Sequence, residues 1–303
     1  MIKKIAALYT CHNRKDKTVH SIMSLFSAVR FFNNTSNDSI ELLVFLVDDG
    51  STDGTADAVN SLSEQSPIII LEGDGSLFWA GGMRLAWETA MQYCNDWSYY
   101  FLINDDTVLK EDCFSELIKT QRYCLDKYGE EGLVSGITCS RVDSQQVTYG
   151  GDVILNRFTG KTKRLGLSVD PQLVDLANAN LLLVPQGVVE IIGIFHKKYQ
   201  HGRADSDYAM TARRNGIPVY LTADCCGYCE NDHDQIEDLR EKVVGMTIRE
   251  RIAYFANPLH SSKDYLFFIL RNFPFKYPLA VLFRWMNIYT PRLYYAITIR
   301  RMK

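Results

Sequence analysis

Acidic side chains follow two apolar runs of the 303-residue sequence, at positions where buried strands would end. The pair at 48–49 comes after the run 42–47, and the triplet at 104–106 comes after the run 99–103. Carboxylates in such places are the hard oxygen ligands that Mg²⁺ or Mn²⁺ prefers, and these ions normally bind a substrate diphosphate as well. The pair could instead accept hydrogen bonds from a base or ribose, and a turn of solvated acids is the alternative for the triplet.

A third group of acids, Asp205 and Asp207, opens a helix that is predicted to run to Arg214, with its stop signal at 215–216. Negative charge is favourable in the first turn of a helix, so capping alone would explain both acids. A carboxylate close to a metal-bound diphosphate could also take the proton of an attacking hydroxyl.

Glycines crowd the segment 73–87, which ends in a helix predicted over Gly82–Tyr93. Glycine lets the backbone approach a ligand, and a helix start offers amides to phosphate. The segment lacks the third glycine of a dinucleotide fingerprint and the lysine of a P-loop. A plain loop around a packed Trp79 is the alternative.

The elements that must position these residues alternate between strand and helix. The predicted strands are 5–9, 42–47, 68–71 and 99–103, and the predicted helices are 16–32, 55–63, 82–93 and 111–125. Such alternation predicts a mostly parallel sheet with helices on both faces and a ligand crevice beyond the carboxyl ends of the strands. Further strands at 133–138, 181–184 and 219–222, with a turn-like 149–152, predict a mixed extension, and the capping box at 247–250 predicts another helix.

Composition excludes several classes of protein. A net charge of -3 argues against a nucleic-acid binder that relies on a basic surface. We find no secretory signal, so the eight cysteines are expected to be reduced, cytosolic thiols. The sequence has no run of eighteen apolar residues, which argues against a membrane-spanning helix. The cluster Cys225-Cys226-Gly-Tyr-Cys229 with His233 lacks the second ligand pair of a structural zinc site.

Three motifs, Val47–Thr55, Leu77–Met83 and Ile103–Thr107, resemble in order and spacing the family-2 glycosyltransferases of GT-A fold. The resemblance implies an α/β fold with a mostly parallel central sheet flanked by helices, a mixed acceptor-side extension and a C-terminal helical segment. It divides the chain into a nucleotide-sugar-binding half at 1–115, an acceptor-binding half at 116–235 and a C-terminal segment at 236–303.

The same resemblance implies roles for individual residues. The donor would be bound by Thr10, Asn13, Arg14, Asp48, Asp49, Gly81, Gly82, Arg84 and Asp105. Asp105 and Asp106 correspond to the family's metal-binding DXD motif and would hold Mg²⁺ or Mn²⁺, with His233 either a further ligand or a solvated loop histidine. Asp205 would be the general base, and Asn178, Asn180 and Asp207 would flank the acceptor. The chain departs from the family pattern at Asn104, Ala179 and Thr211.

The activity implied is inverting transfer of a sugar from a UDP- or dTDP-linked donor to a hydroxyl of a glycan or lipid-linked acceptor. By the same analogy the product is a surface polysaccharide, and rhamnosyl transfer is common among similar chains. A sugar nucleotidyltransferase is one alternative, but the loop Thr10–Arg14 lacks the glycines that such an enzyme needs. A non-catalytic nucleotide-sugar-binding module is the other.

The segment 264–303 carries many aromatic residues and seven basic residues against one acid, Asp264. Basic and aromatic residues beside an apolar surface fit a segment that lies in a membrane interface. We therefore expect a cytoplasmic protein, peripheral at the inner face of the cell membrane. The alternative is a helical pair packed on the core or on a second subunit.

Overall fold

A computed structural model describes residues 1–64, 66–231, 236–260 and 262–299. Its first part alternates strand and helix as predicted: β1 (Ile2–Cys11), α1 (Lys15–Thr35), β2 (Ser39–Asp48), α2 (Thr55–Ser63), β3 (Ile68–Glu72), α3 (Phe78–Tyr93), β4 (Tyr99–Ile103), β5 (Val108–Leu109) and α4 (Cys113–Tyr128). The apolar runs located these elements, and most of the differences lie at their ends.

The middle of the chain supplies short strands and two helices: β6 (Leu133–Cys139), β7 (Val147–Tyr149), β8 (Gly151–Asn156), β9 (Lys161–Arg164), β10 (Gln172–Leu173), β11 (Leu176–Ala177), β12 (Leu181–Pro185), α5 (Gln186–Ile192), α6 (Ala204–Arg214) and β13 (Val219–Tyr228). The C-terminal segment is helical: α7 (Ile236–Gly245), α8 (Ile248–Ala256), α9 (Ser262–Asn272), α10 (Tyr277–Tyr289) and α11 (Pro291–Ile299), with 3₁₀ turns at Pro258–His260 and Pro274–Lys276. In the described part of the chain, no helix is both long enough and apolar enough to cross a membrane.

The central sheet has the strand order β10-β13-β6-β12-β4-β1-β2-β3. β1 pairs in parallel with β2 and with β4, and β2 pairs in parallel with β3. β12 runs antiparallel between β4 and β6, and β13 is parallel to β6. A small antiparallel sheet, β11-β8-β9, is separate. The predicted fold, a mostly parallel sheet with a mixed extension and a C-terminal helical segment, is confirmed.

The core lies on both faces of this sheet, which explains why its strands are continuously apolar. Ile5 and Ala7 of β1 belong to the cluster that contains the buried residues of α1 and α4, whereas Ala6 and Leu8 pack with α3. Burying a large apolar side chain contributes about 1.5–3 kcal/mol, so apolar residues dominate both faces. The charged side chains of β1 to β4 lie towards the strand ends, and the buried hydroxyls of Ser135 in β6 and Thr222 in β13 are hydrogen-bonded.

Two element boundaries differ most from the predictions. α3 begins at Phe78 rather than at Gly82, so Gly81 is buried inside the helix instead of lying in the loop before it, and Gly82 is no longer the first helical residue. A Cβ on Gly82 would overlap the side chain of Thr10, so glycine allows α3 to lie directly against β1. β13 continues through the cysteine cluster to Tyr228, because Cys225 and Cys226 are apolar enough to be buried in the sheet.

The predicted capping box opens α8. The Thr247 hydroxyl accepts a hydrogen bond from the Glu250 amide at 3.3 Å, and the Glu250 carboxylate accepts one from the Thr247 amide at 2.6 Å. These two bonds satisfy amides that would otherwise lack a partner in the first turn of the helix.

The capping box gives a stability prediction. Thr247→Ala removes the acceptor of the Glu250 amide and should lower the free energy of unfolding by about 1 kcal/mol. Thr247→Ser keeps the hydroxyl and should retain most of that stability. Urea unfolding followed by circular dichroism compares the two variants, and equal losses would show that the cap does not contribute.

Candidate active site

The carboxyl ends of β3, β2, β1 and β4 form one rim, since these strands are neighbours and parallel. Asp48 at the end of β2 is paired with Cys11 of β1 on one side and with Glu72 of β3 on the other. The loops that follow the four strands therefore lie side by side, and they contain the predicted donor-binding and metal-binding residues of the first half.

Arg14 joins the two acids of the triplet that follows β4. Its Nη1 donates to Asp105 Oδ1 at 3.1 Å and to Asp106 Oδ2 at 2.8 Å. Burial raises the pKa of Asp105 to about 7, with the Arg14 charge opposing that rise and Asp106 adding to it. The guanidinium thus acts as the counter-ion of a pair of close carboxylates.

The same pair provides a test for a divalent ion. Asp105 and Asp106 direct one oxygen each at a single cationic nitrogen, so a positive charge is already accommodated between them. Two carboxylate oxygens suit Mg²⁺ or Mn²⁺, which completes its coordination with water and phosphate oxygens. The described residues contain no cluster of three or more His, Cys, Asp or Glu arranged for a metal. The acid pair therefore fits a divalent ion whose remaining coordination comes partly from a bound ligand.

Asp49 holds the glycine-rich loop against β2. Its Oδ1 accepts from the Gly75 amide at 2.9 Å and from the Leu77 amide at 3.3 Å, and its Oδ2 accepts from the Phe78 amide at 2.8 Å. Asp48 accepts from the Ser51 amide at 3.0 Å. The amides at the start of α3, which the sequence suggested for phosphate, are here bonded to Asp49.

Asn13 and Thr10 shape the neighbouring loop. Asn13 adopts a left-handed backbone, with φ 51°, and its Oδ1 accepts from the Thr52 amide at 2.7 Å. Thr10 is buried against Gly82, and within the described residues its hydroxyl has no hydrogen-bond partner. Both residues lie on the predicted donor side, and their contact with a donor stays a prediction.

Arg84, predicted to bind the donor, contacts the segment that precedes α6. Its Nη1 donates to the Tyr199 carbonyl at 2.6 Å, and burial lowers the pKa of its guanidinium. Trp79, one turn earlier in α3, donates from Nε1 to Asn104 Oδ1 at 2.9 Å. The helix α3 therefore touches both the acidic triplet and the segment that precedes α6.

Asp205 lies in the first turn of α6, at the edge of the cleft. Its Oδ2 accepts from the Ala179 amide at 3.1 Å and its Oδ1 from the Ser206 amide at 2.7 Å. Burial raises the pKa of this carboxyl against those hydrogen bonds. The Asn180 carbonyl accepts from the Asn104 amide at 3.3 Å, so the segment that binds Asp205 also touches the triplet.

Cys229 connects the two sides and was not predicted as a site residue. Its thiol donates to Asp106 Oδ1 at 3.5 Å and accepts from Asn180 Nδ2 at 3.5 Å. Burial raises its pKa to about 12, so the thiol is neutral and can donate to Asp106. His233, the predicted additional metal ligand, lies outside the described residues.

A groove of about 270 Å³ opens beside Asp106. Its walls include the basic side chains Lys17 and Arg141 and the acidic side chains Asp16 and Glu230. A ligand that contacts Asp106 therefore has a charged groove next to it.

Comparison with known proteins identifies the family. Residues 8–124 match the sequence profile of glycosyl transferase family 2. Within this range, which is somewhat less than half of the chain, the sequence matches the family-2 glycosyltransferases. The matched range includes both acidic motifs and the whole of α3, and the predicted family is thereby confirmed. A search of curated proteins gives no match.

Solved structures show the same fold in other glycosyltransferases. Residues 1–349 of TarS from S. aureus are 15% identical, with a TM-score of 0.52 over 94% of this chain and 78% of that TarS segment. The mannosyltransferase PcManGT from Pyrobaculum calidifontis, solved with GDP-Man and Mn²⁺, is 15% identical, with a TM-score of 0.52 over 98% of this chain and 79% of its own. TarS 1–349 has also been solved with UDP-GlcNAc. At this identity the likeness establishes the GT-A fold.

The position of Arg14 between two acids gives a prediction about metal affinity. Arg14→Gln removes the shared cation and should lower the melting temperature of the metal-free glycosyltransferase, by about 2–4 °C for each 1 kcal/mol lost. Added Mn²⁺ should then stabilise the variant more than the wild type, and free Mn²⁺ measured by electron paramagnetic resonance should show tighter binding.

Lys15→Gln is the matched control. It removes the next positive charge along the chain, and the Lys15 side chain lies beside Gly54 rather than beside the triplet. It should leave the Mn²⁺ response unchanged. Weaker Mn²⁺ binding by Arg14→Gln would show that Arg14 assists the ion rather than occupying its place.

Proposed function

We propose that this glycosyltransferase moves a sugar from a nucleoside-diphosphate donor to a hydroxyl of a glycan or lipid-linked acceptor, with inversion at the anomeric carbon. The donor occupies the half formed by residues 1–115 and the acceptor the half formed by 116–235. The observation that carries the proposal is the segment 178–180, which binds the Asp205 carboxylate at Ala179 and touches the acidic triplet at Asn180.

In the proposed reaction Asp205 accepts the proton of the acceptor hydroxyl. The hydroxyl oxygen forms the new bond to the anomeric carbon, and the bond to the diphosphate oxygen breaks, with its electron pair leaving on the diphosphate. A single displacement of this kind inverts the anomeric centre. Burial supports the assignment, because a raised pKa makes the carboxylate a stronger base than an exposed aspartate.

Asp105 and Asp106 are the proposed holders of Mg²⁺ or Mn²⁺. When bound, the ion supplies positive charge to the departing diphosphate. The chain's own part is to keep two carboxylates close together, with Arg14 beside them as a further cation for phosphate oxygens. PcManGT, a structural neighbour solved with Mn²⁺ and GDP-Man, supports the choice of ion and of donor class.

The test is the removal of the proposed base. Asp205→Asn should lower the rate of sugar transfer by about 10²–10⁴-fold, because the amide cannot take the proton, while donor binding is retained. Nucleoside-diphosphate release should be measured with UDP- and dTDP-linked sugars, dTDP-rhamnose among them, with Mn²⁺ or Mg²⁺ and a lipid-linked glycan acceptor. Donor binding is followed by the melting temperature.

Asp57→Asn is the matched control, since Asp57 is also a first-turn acid of a helix but lies in α2. It should retain full transfer. Release of pyrophosphate instead of a nucleoside diphosphate would identify a sugar nucleotidyltransferase. Donor binding without turnover in the wild type would identify a binding module.

We also propose that the protein lies at the inner face of the cell membrane, acts in surface polysaccharide synthesis and contacts the lipid through α10. Four apolar side chains of α10, Leu279, Leu282, Trp285 and Tyr289, are exposed and recur at helical spacing on one side. The excess of basic residues in the segment 264–303 would attract anionic lipid. An apolar helix face in a segment with net positive charge suits an interfacial helix.

This face gives a prediction about lipid binding. Trp285→Glu should weaken binding to phosphatidylglycerol vesicles by tenfold or more, since losing about 1.5–3 kcal/mol of apolar burial corresponds to at least that factor. Val169→Glu, which adds the same charge at an exposed loop, should bind vesicles as the wild type does. Sedimentation with vesicles measures both. Wild-type dimers that Trp285→Glu dissociates would identify a second copy of the chain as the occupant.

A further inference from the structure

One acid of the C-terminal segment is buried under the loop that leads into α6. Asp264, in α9, has a relative exposure of 3%. Its Oδ2 accepts from the His201 amide at 2.8 Å and from the Gly202 amide at 3.0 Å, and the Gln200 amide lies 3.2 Å from the same oxygen. Three consecutive amides thus converge on one carboxylate. A buried charge is tolerated when donors of this kind surround it.

The loop held by Asp264 ends at the residue before α6. Arg203 there has a left-handed backbone, with φ 68°, and caps the helix without a side-chain hydrogen bond. A non-glycine residue in this region costs energy, and such a conformation persists only when the surroundings enforce it. The Arg203 guanidinium lies over the rings of Tyr265 and Phe268, 6.0 and 5.9 Å from their centroids, and both rings belong to α9.

A second set of contacts joins α9 to α6 beyond the loop. Asp207 Oδ1 accepts from Asn272 Nδ2 at 2.7 Å and lies 3.0 Å from Arg271 Nε. Arg214, at the other end of α6, donates to Asn272 Oδ1 at 2.6 Å. Asn272 therefore contacts both ends of α6.

The loop is fixed from its opposite side by α3. The Ala80 amide donates to the Gln200 carbonyl at 3.0 Å, and Arg84 donates to the Tyr199 carbonyl at 2.6 Å. The carbonyls of Tyr199 and Gln200 are thus bonded to α3, and the amides of 200–202 are bonded to Asp264. Little freedom is left to the start of α6, where Asp205 is the second residue.

We infer that α9 belongs to the acceptor side of the active site, where Asp264 is a positioning residue that sets the orientation of Asp205. Asn272 supports the same orientation through Asp207. This inference rests on the proposed role of Asp205 as the base. It separates α9, which builds the site, from α10, whose apolar face is exposed.

Asp264→Asn tests the inference in the full-length protein. An asparagine replaces one of the two oxygens that accept from the 200–202 amides by an NH₂ group and removes the negative charge, so the loop is held less firmly. A displacement of about 1 Å at a reacting group costs on the order of 10²-fold in rate, and kcat for transfer should fall by about that factor. The KM for the donor and the stabilisation by nucleoside diphosphate should stay within about twofold. Hydrogen exchange at the His201 and Gly202 amides should become faster.

Asn272→Ala is the second variant, in case Asp264→Asn fails to fold. It removes one hydrogen bond to Asp207 at a partly exposed site, and kcat should fall by about tenfold with the donor KM unchanged. Glu250→Gln loosens the cap of α8, elsewhere in the C-terminal segment, and should keep the wild-type kcat.

The outcomes separate the two proposals. Full transfer by Asp205→Asn would overturn the proposed function itself. An inactive Asp205→Asn together with wild-type kcat in Asp264→Asn and Asn272→Ala would overturn only the positioning role of α9. A loss of donor binding that matches the loss of kcat in Asp264→Asn would also overturn it, since general loosening would then explain the effect.

Discussion

The cleft depends on keeping carboxylates in places where water is scarce. Asp49, Asp105 and Asp264 are buried and Asp205 is partly buried, and a carboxylate so placed is costly unless hydrogen-bond donors face it. The chain provides those donors mainly from backbone amides of loops and helix starts. Because several amides must surround one carboxylate at the same time, each carboxylate fixes the conformation of the loop that supplies those amides. The acids of the site therefore organise the fold around it as well as its chemistry.

Much of the fold was predictable because the strands are buried on both faces. Continuous apolar runs located β1 to β4, and polar residues marked their carboxyl ends. The start of α3 was not predictable from local signals. Gly81 looks like a loop residue in the sequence, yet it lies inside the helix, and the close approach of α3 to Thr10 requires glycine at position 82. Tertiary packing overrode helix propensity there.

The candidate site also has a part that could be predicted from the sequence and a part that could not. Strand order alone brings together the loops after β1, β2 and β4, so their proximity could be predicted. Contacts across the molecule could not: Cys229 reaches Asp106 from β13, and Arg14 reaches it from the loop after β1. Asp264 left one visible signal, as the single acid in an otherwise basic segment. The membrane interpretation of that segment rests on its basic residues and takes no account of its one acid, whereas α9 packs in the core.

The nature of each partner indicates what an acid is free to do. Asp49 and Asp264 are bonded to backbone amides of the loops at 75–78 and 200–202, and releasing them would cost the order of those loops. Asp105 and Asp106 share the flexible side chain of Arg14, whose guanidinium can move to a phosphate while another cation takes its place, and Asp106 also accepts from the Cys229 thiol. Asp205 stands between these cases, with two amides that fix its direction and a pKa that burial raises. Fixed acids therefore build the cleft, exchangeable acids suit a charged ligand, and an oriented acid with raised pKa suits proton transfer.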